Sequence, residues 1–246
     1  RAQSGHRAGS EPAGRSSIGV AGPELDPGDV YLGADSMTRI GTRVAAVDCG
    51  TNSVRLLIAD VKDGRPTEVL RRTEIVRLGQ DVDRTGRLAP AALQRTFAML
   101  TEYARDIDRV GGVERVRMVA TSATRDASNR AEFVAGVEAI LGVRPDVVSG
   151  AEEADLSFAG AMSGLPPALP RPVLVVDIGG GSTELVLGTS APDAAASLDI
   201  GSVRLTERHL STDPPTPAEV AAADAHIEES LAAVASTVEL ATARSV

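Results

Sequence analysis

Apolar and polar positions along this 246-residue chain change period several times, and each change marks an element. From Arg43 to Ala59 an apolar run, a small polar stretch and a second apolar run predict a β-hairpin. TEVLRRTEIVR (67–77) alternates roughly, as a third strand would. DVDRTGRLAP (81–90) reads as a loop ending in Pro90, which suits the first position of a helix because that position needs no N–H. The helix is predicted to run to about Arg109, with Leu93, Phe97, Leu100, Ala104 and Ile107 on its apolar face. Val113–Thr121 predicts a central parallel strand, 129–141 a helix, VRPDVVS (143–149) a short strand and 151–163 a further helix.

GLPPALPRP (164–172) interrupts this pattern with four prolines, which neither a helix interior nor a central strand accommodates. It divides a first domain, 37–168, from a second, 169–246. The second domain then repeats the opening of the first. VAAVDCGTNSVRLLIAD (44–60) returns as VLVVDIGGGSTELVLG (173–188), aligning Asp48 with Asp177, Gly50 with Gly179, Asn52 with Gly181 and Ser53 with Ser182. At one aligned position the charge reverses: Arg55 becomes Glu184. A strand at 195–200, a short helix at 201–210 and a helix at 218–241 complete the pattern, fewer elements than follow the first copy. The expectation is a duplicated α/β chain whose second domain is incomplete. Residues 1–36 are rich in Gly, Ser and Pro without periodicity, and read as a disordered extension ahead of Met37. A regulatory arm or transit sequence is the alternative, weakened by the acidic residues it contains.

Composition narrows the chemistry. Aromatics are 2% of the chain and the net charge is −9, which argues against base-stacking nucleic-acid modules and against an anionic membrane surface. No stretch approaches the ~20 apolar residues of a membrane span. Cys49 is the only cysteine, so an intrachain disulfide is excluded and a reducing, cytoplasmic compartment is expected. Any anion must therefore be held by local groups. Lys62 is the only lysine, and all other basic side chains are Arg, the residue suited to bidentate anion contacts.

Several segments carry candidate chemistry, each with a plainer alternative. The turn Gly179, Gly180, Gly181, Ser182, Thr183 can present successive backbone N–H groups, since Gly tolerates positive φ and close ligand approach; a plain hairpin turn is the alternative. It is neither a dinucleotide fingerprint nor a Walker A loop, because GxGxxG and a following Lys are both absent. Asp177 ends an apolar run, where a carboxylate needs a cation or several donors; alternatively it caps its own turn. Glu184 shares a strand face with Ser182, and Arg55 with Ser53. These carboxylates suit a metal and Arg55 a phosphate, although Arg55 also fits a solvated strand position. Arg125 follows a parallel strand, where α/β sheets bind ligands. Glu152 and Glu153 open a helix, where acids commonly do no more than stabilise the N-terminus.

DCGTNSVRLL, ATSATRDASN, SGAEEA, VVDIGGGSTELV and IGSVRLTE stand in the order seen in the exopolyphosphatase / guanosine pentaphosphate phosphohydrolase (Ppx/GppA) family. The resemblance covers about residues 43–240 and is greatest to actinobacterial short forms. It implies duplicated domains of the actin, Hsp70 and sugar-kinase (ribonuclease H-like) fold. It also implies Glu153 as catalytic base, Asp177 and Glu184 as the carboxylates for Mg2+ or another divalent cation, and Gly179 to Thr183 as one phosphate loop. Gly50, Asn52, Ser53 and Arg55 correspond to the other phosphate loop, and Arg125 resembles the arginine that meets substrate phosphates. The implied activity is release of orthophosphate from inorganic polyphosphate, with guanosine pentaphosphate hydrolysis or non-catalytic binding of either ligand as alternatives. Members of the family often pair, so a homodimer is among the implied partners.

Overall fold

The computed structural model describes residues 41–235 and 237–246. The expected disordered extension and Met37 lie outside them. The predicted hairpin is formed by Thr42–Cys49 (β1) and Ser53–Lys62 (β2), with Asp48 directly opposite Arg55. Arg65–Ile75 (β3) continues the antiparallel meander, Arg115–Ala120 (β4) lies parallel to β1, and Asp146–Val147 (β5) lies parallel to β4. The resulting order is β3-β2-β1-β4-β5. Parallel neighbours need a crossover, and here those are the helices Pro90–Arg109 (α2) and Arg130–Leu141 (α4).

Alternation along β2 explains which face becomes core. Val54, Leu56 and Ile58 are wholly buried in one cluster with Leu93, Leu100, Tyr103, Phe133 and Val137 of the two helices. Tyr103 Oη donates to the Val54 carbonyl at 2.9 Å, which satisfies a buried hydroxyl. The intervening side chains, Arg55 and Leu57, point to the opposite face and line a cleft. On α2, Leu93, Leu100 and Ile107 are buried as expected, while Phe97 is half-buried and stacks on Phe133 with ring centroids 6.3 Å apart.

The second sheet starts the same way. Val173–Ile178 (β6), Thr183–Gly188 (β7) and Pro192–Leu198 (β8) form an antiparallel meander with Asp177 opposite Glu184. Val173 also makes a parallel bridge to Ser245, at the position where its counterpart Val44 meets Arg115 of β4. A ribonuclease H-like plan is thus repeated, with five strands in the first sheet and three in the second among the described residues.

Gly150–Gly164 (α5) follows the first sheet in sequence but packs on the second, burying Ala154 and Phe158 against Val186. Its start is fixed by a capping box in which Ser149 accepts from the Glu152 amide and Glu152 returns the bond. Gly150 approaches β8 closely enough that a Cβ there would lie 2.7 Å from Ser197 Cβ.

Several boundaries differ from expectation, the strand predicted at 143–149 shrinking to Asp146–Val147 among them. The loop before Pro90 contains a helical turn, Val82–Thr85 (α1), because Val82 is drawn into the first core between left-handed Asp81 and Gly86. Ser202–His209 (α6) matches the predicted short helix, but Pro217–Val234 (α7) stops well before 241. There the chain leaves the helix to bury Val238 with Val234, Leu174, Leu185 and Leu187. β8 begins at Pro192 rather than 195.

Candidate active site

The two aligned turns meet at the floor of a cleft of about 560 Å³. Each closes with the same bond: Gly50 N donates to Ser53 O and Gly179 N to Ser182 O, both at 2.9 Å. The glycines of the second turn serve close packing rather than a positive φ, since Gly179, Gly180 and Gly181 all keep negative or extended backbone angles. A Cβ on Gly181 would lie 2.3 Å from Ser122 Oγ and 2.7 Å from Thr51 Oγ1. Thr51 and Ser122, both on the first wall, are hydrogen-bonded to each other, Oγ1 to Oγ at 2.8 Å, and Gly181 of the second wall packs against this pair.

Four carboxylates border the cleft: Asp48, Glu153, Asp177 and Glu184. Asp48 is paired with Arg55 at 3.1 Å across the hairpin. Burial raises the Asp48 carboxyl above the usual range, Arg55 opposes the shift and Asp177 adds to it. Glu184 is almost wholly buried and accepts from Ser197 Oγ at 2.8 Å. Its carboxyl is raised chiefly by burial, against the serine hydroxyls that stabilise the charge, with repulsion from Asp177 adding to the rise.

Glu153 stands one residue beyond the capping box. It accepts from Arg125 Nη1 at 3.2 Å, and the same nitrogen donates to the Val148 carbonyl at 3.0 Å. Burial first, then the charge of Glu184, push Glu153 up to about 7, with Arg125 pulling the other way. A carboxylate in that range is matched to accepting a proton near neutrality. Glu152, by contrast, is committed to Ser149 and held low by those bonds.

Of the residues singled out from sequence, Gly50, Asn52, Ser53, Arg55, Glu153, Asp177, Gly179, Gly180, Gly181, Ser182 and Glu184 all line this one cleft. Arg125 stands behind Glu153 rather than on the wall, and Thr183 Oγ1 is turned away to donate to the Ile200 carbonyl. Asp177 does not end in a buried environment as its apolar run suggested: the last three residues of β6 are exposed. Its carboxylate instead accepts from Ser157 Oγ on α5. Ser157 and Ser197 were not legible, because isolated hydroxyl residues far apart in sequence carry no pattern. Arg71 and Arg117 also reach the cleft from the sheet face. Arg204 was missed although it lies inside the motif IGSVRLTE, as were Thr51 and Ser122 inside DCGTNSVRLL and ATSATRDASN. Arg204 contacts Gly181 O, Asp83 and Asp126.

Among the described residues no three His, Cys, Asp or Glu side chains are arranged to cage an ion alone. Mg2+ does not require such a cage, since it is typically held by one or two carboxylates with water and substrate phosphate. Asp177 and Glu184, opposed across β6 and β7, are the carboxylates that could hold such an ion.

Fold and cleft together define a two-sheet α/β protein of the actin-like class. A model of the Ppx/GppA phosphatase family matches residues 57–246. Exopolyphosphatase 2 of Mycobacterium tuberculosis is 53% identical over 212 residues, a match covering 82% of this chain and 66% of that protein. A solved exopolyphosphatase-like protein superimposes with TM-score 0.80 at 50% identity, covering 84% of this chain and 65% of that one. The Aquifex aeolicus Ppx/GppA family member gives TM-score 0.63 at 40% identity, with 78% and 62% coverage. This chain belongs to the Ppx/GppA phosphatase family. It spans 66% of the length of the curated relative, just under two thirds.

Proposed function

We propose that the cleft hydrolyses the terminal phosphoanhydride of inorganic polyphosphate and releases orthophosphate. The observation that carries this reading is Glu153, a carboxylate raised to about 7 beside a floor made of two small-residue turns. Water attacks the terminal phosphorus, the bridging P–O bond breaks, and Glu153 accepts the proton the water loses. Arg125 holds the Glu153 carboxylate in place. The turn amides and Arg55 bind the terminal phosphate, and Arg71 and Arg117 lie on the sheet face along which further phosphates would extend. Asp177 and Glu184 would hold Mg2+, which when bound offsets charge on the phosphate oxygens.

The 53% identity to a protein named Exopolyphosphatase 2 supports this substrate. Guanosine pentaphosphate is the competing substrate. Among the described residues no aromatic side chain lines the cleft, so these offer a guanine base no stacking surface. Phosphate release is to be measured from long-chain polyphosphate and from guanosine pentaphosphate, with Mg2+ varied. Faster release from polyphosphate is expected. Affinity for polyphosphate without turnover at any Mg2+ concentration would overturn the catalytic reading in favour of a binding protein.

A further inference from the structure

The second turn is held differently from the first. Gly179 O accepts from Ser202 N at 3.0 Å, and Gly180 O accepts from Val203 N and Arg204 N at 2.9 and 3.1 Å. Gly181 O accepts from Arg204 Nε at 2.8 Å. Three successive carbonyls are therefore drawn toward the start of α6. In a trans peptide the N–H of the next residue points opposite to the carbonyl. The amides of Gly180, Gly181 and Ser182 must then project away from α6, and none of them has an acceptor among the described residues. All three residues line the cleft. Consecutive free amides of this kind form a concave anion-binding nest.

In the first turn the aligned carbonyls are held by main chain alone. Thr51 O accepts from Gly79 N at 2.8 Å, and Asn52 O from Val76 N and Arg77 N at 3.0 and 2.8 Å. Gly181 O, the counterpart of Asn52 O, depends on a side chain. That guanidinium also bonds two helices connected in sequence to the first sheet. Nη1 donates to Asp83 of α1 and Nη2 to Asp126 of Ser122–Asp126 (α3), each at 2.6 Å. Asp126 adjoins Arg125, the partner of Glu153. Arg204 is largely buried, with its side chain 11% exposed.

We propose that Arg204 is the positioning residue of this site: one planar fork aims the amides of the second turn into the cleft and fixes that turn against α1 and α3. The inference rests on the reading of the turns as phosphate-binding. Lysine would keep the charge but cannot serve three acceptors held in a fixed fork.

The test follows backbone amide resonances of Gly180, Gly181 and Ser182 by NMR while tripolyphosphate is added to wild type, Arg204→Lys and Arg208→Ala. Arg208 is the control, because it bonds Asp83 of the same network but not the turn. Wild type is expected to show shifts at the three amides. Arg204→Lys should lose those shifts and about tenfold in affinity, as expected of a misplaced binding group, whereas Arg208→Ala should stay within about twofold. Melting curves of both variants separate lost positioning from lost stability. Wild-type shifts that persist unchanged in Arg204→Lys would overturn the role of Arg204 and leave the phosphate reading intact. Absence of any shift in wild type would overturn both.

Discussion

The turn after β1 and the turn after β6 share a backbone bond, a register and a cross-strand pair, yet they differ in charge and in how they are supported. In the first, Asp48 faces Arg55 and forms an ion pair; in the second, Asp177 faces Glu184 and two acids adjoin. The first turn's carbonyls are held by main-chain amides, the second's partly by the side chain of Arg204. The two turns are thus two copies of one geometry that differ at single cross-strand positions. On the proposed reading the paired wall takes the anionic substrate and the acid-rich wall the cation, and Glu184 of the latter raises the carboxyl of its neighbour Glu153.

The largest effect expected from breaking this asymmetry is at Glu153, where the two walls and α5 converge. Glu153→Gln should slow phosphate release by about 10²–10⁴-fold while tripolyphosphate affinity is retained, measured by steady-state kinetics and calorimetry. The wild-type rate should rise as pH passes through about 7, because only the ionised carboxylate accepts a proton. A flat profile with an unimpaired variant would remove Glu153 from the chemistry.

The same residue affects stability in the opposite sense. A carboxyl raised in the folded state binds its proton more tightly there than in the unfolded chain. Stability is then lost as pH rises from the ordinary glutamate range through about 7. Glu153→Gln should therefore stabilise the protein at pH 8 by up to about 3 kcal/mol. The gain should vanish near pH 4, as checked by chemical denaturation at both pH values.

A third experiment compares packing at the two turns. Asn52 carries a side chain where Gly181 cannot, since a Cβ at Gly181 would collide with Ser122 and Thr51. Gly181→Ala should cost about 1–3 kcal/mol. Gly50→Ala, whose Cβ would meet nothing nearer than 3.5 Å, should cost less. Thermal melts of the pair decide it. The smallest effect belongs to Arg55→Ala: the Arg55 side chain is 61% exposed, so the stability change should stay under about 1 kcal/mol, measured by denaturant titration.

Much of this was legible in sequence for identifiable reasons. The hairpin, the helix from Pro90 to Arg109 and the start of β6 follow from short-range periodicity and proline chemistry, which act within one element. Internal repetition exposed both turns, since aligned copies reveal their small residues and the reversal at Arg55 and Glu184. Glu153 could not be told from Glu152 by spacing. Only family resemblance marked it, and only the fold shows one acid engaged in a capping box while the other is buried beside Arg125 and Glu184. The burial expected for Asp177 failed because an apolar run says nothing about whether a strand end is covered.

By itself, the sequence determined the longer strands and helices, the duplication and the family, because these depend on local pattern and ordered motifs; the short helices Val82–Thr85 and Ser122–Asp126 it did not. Tertiary structure alone decided that α5 crosses from the first sheet to pack on the second, carrying Glu153 to within a cleft bordered by Glu184. It also decided that the glycines permit wall-to-wall packing and that Arg204 aims a turn 23 residues away. Contacts of that separation depend on how whole elements dock, and no window of neighbouring residues encodes them.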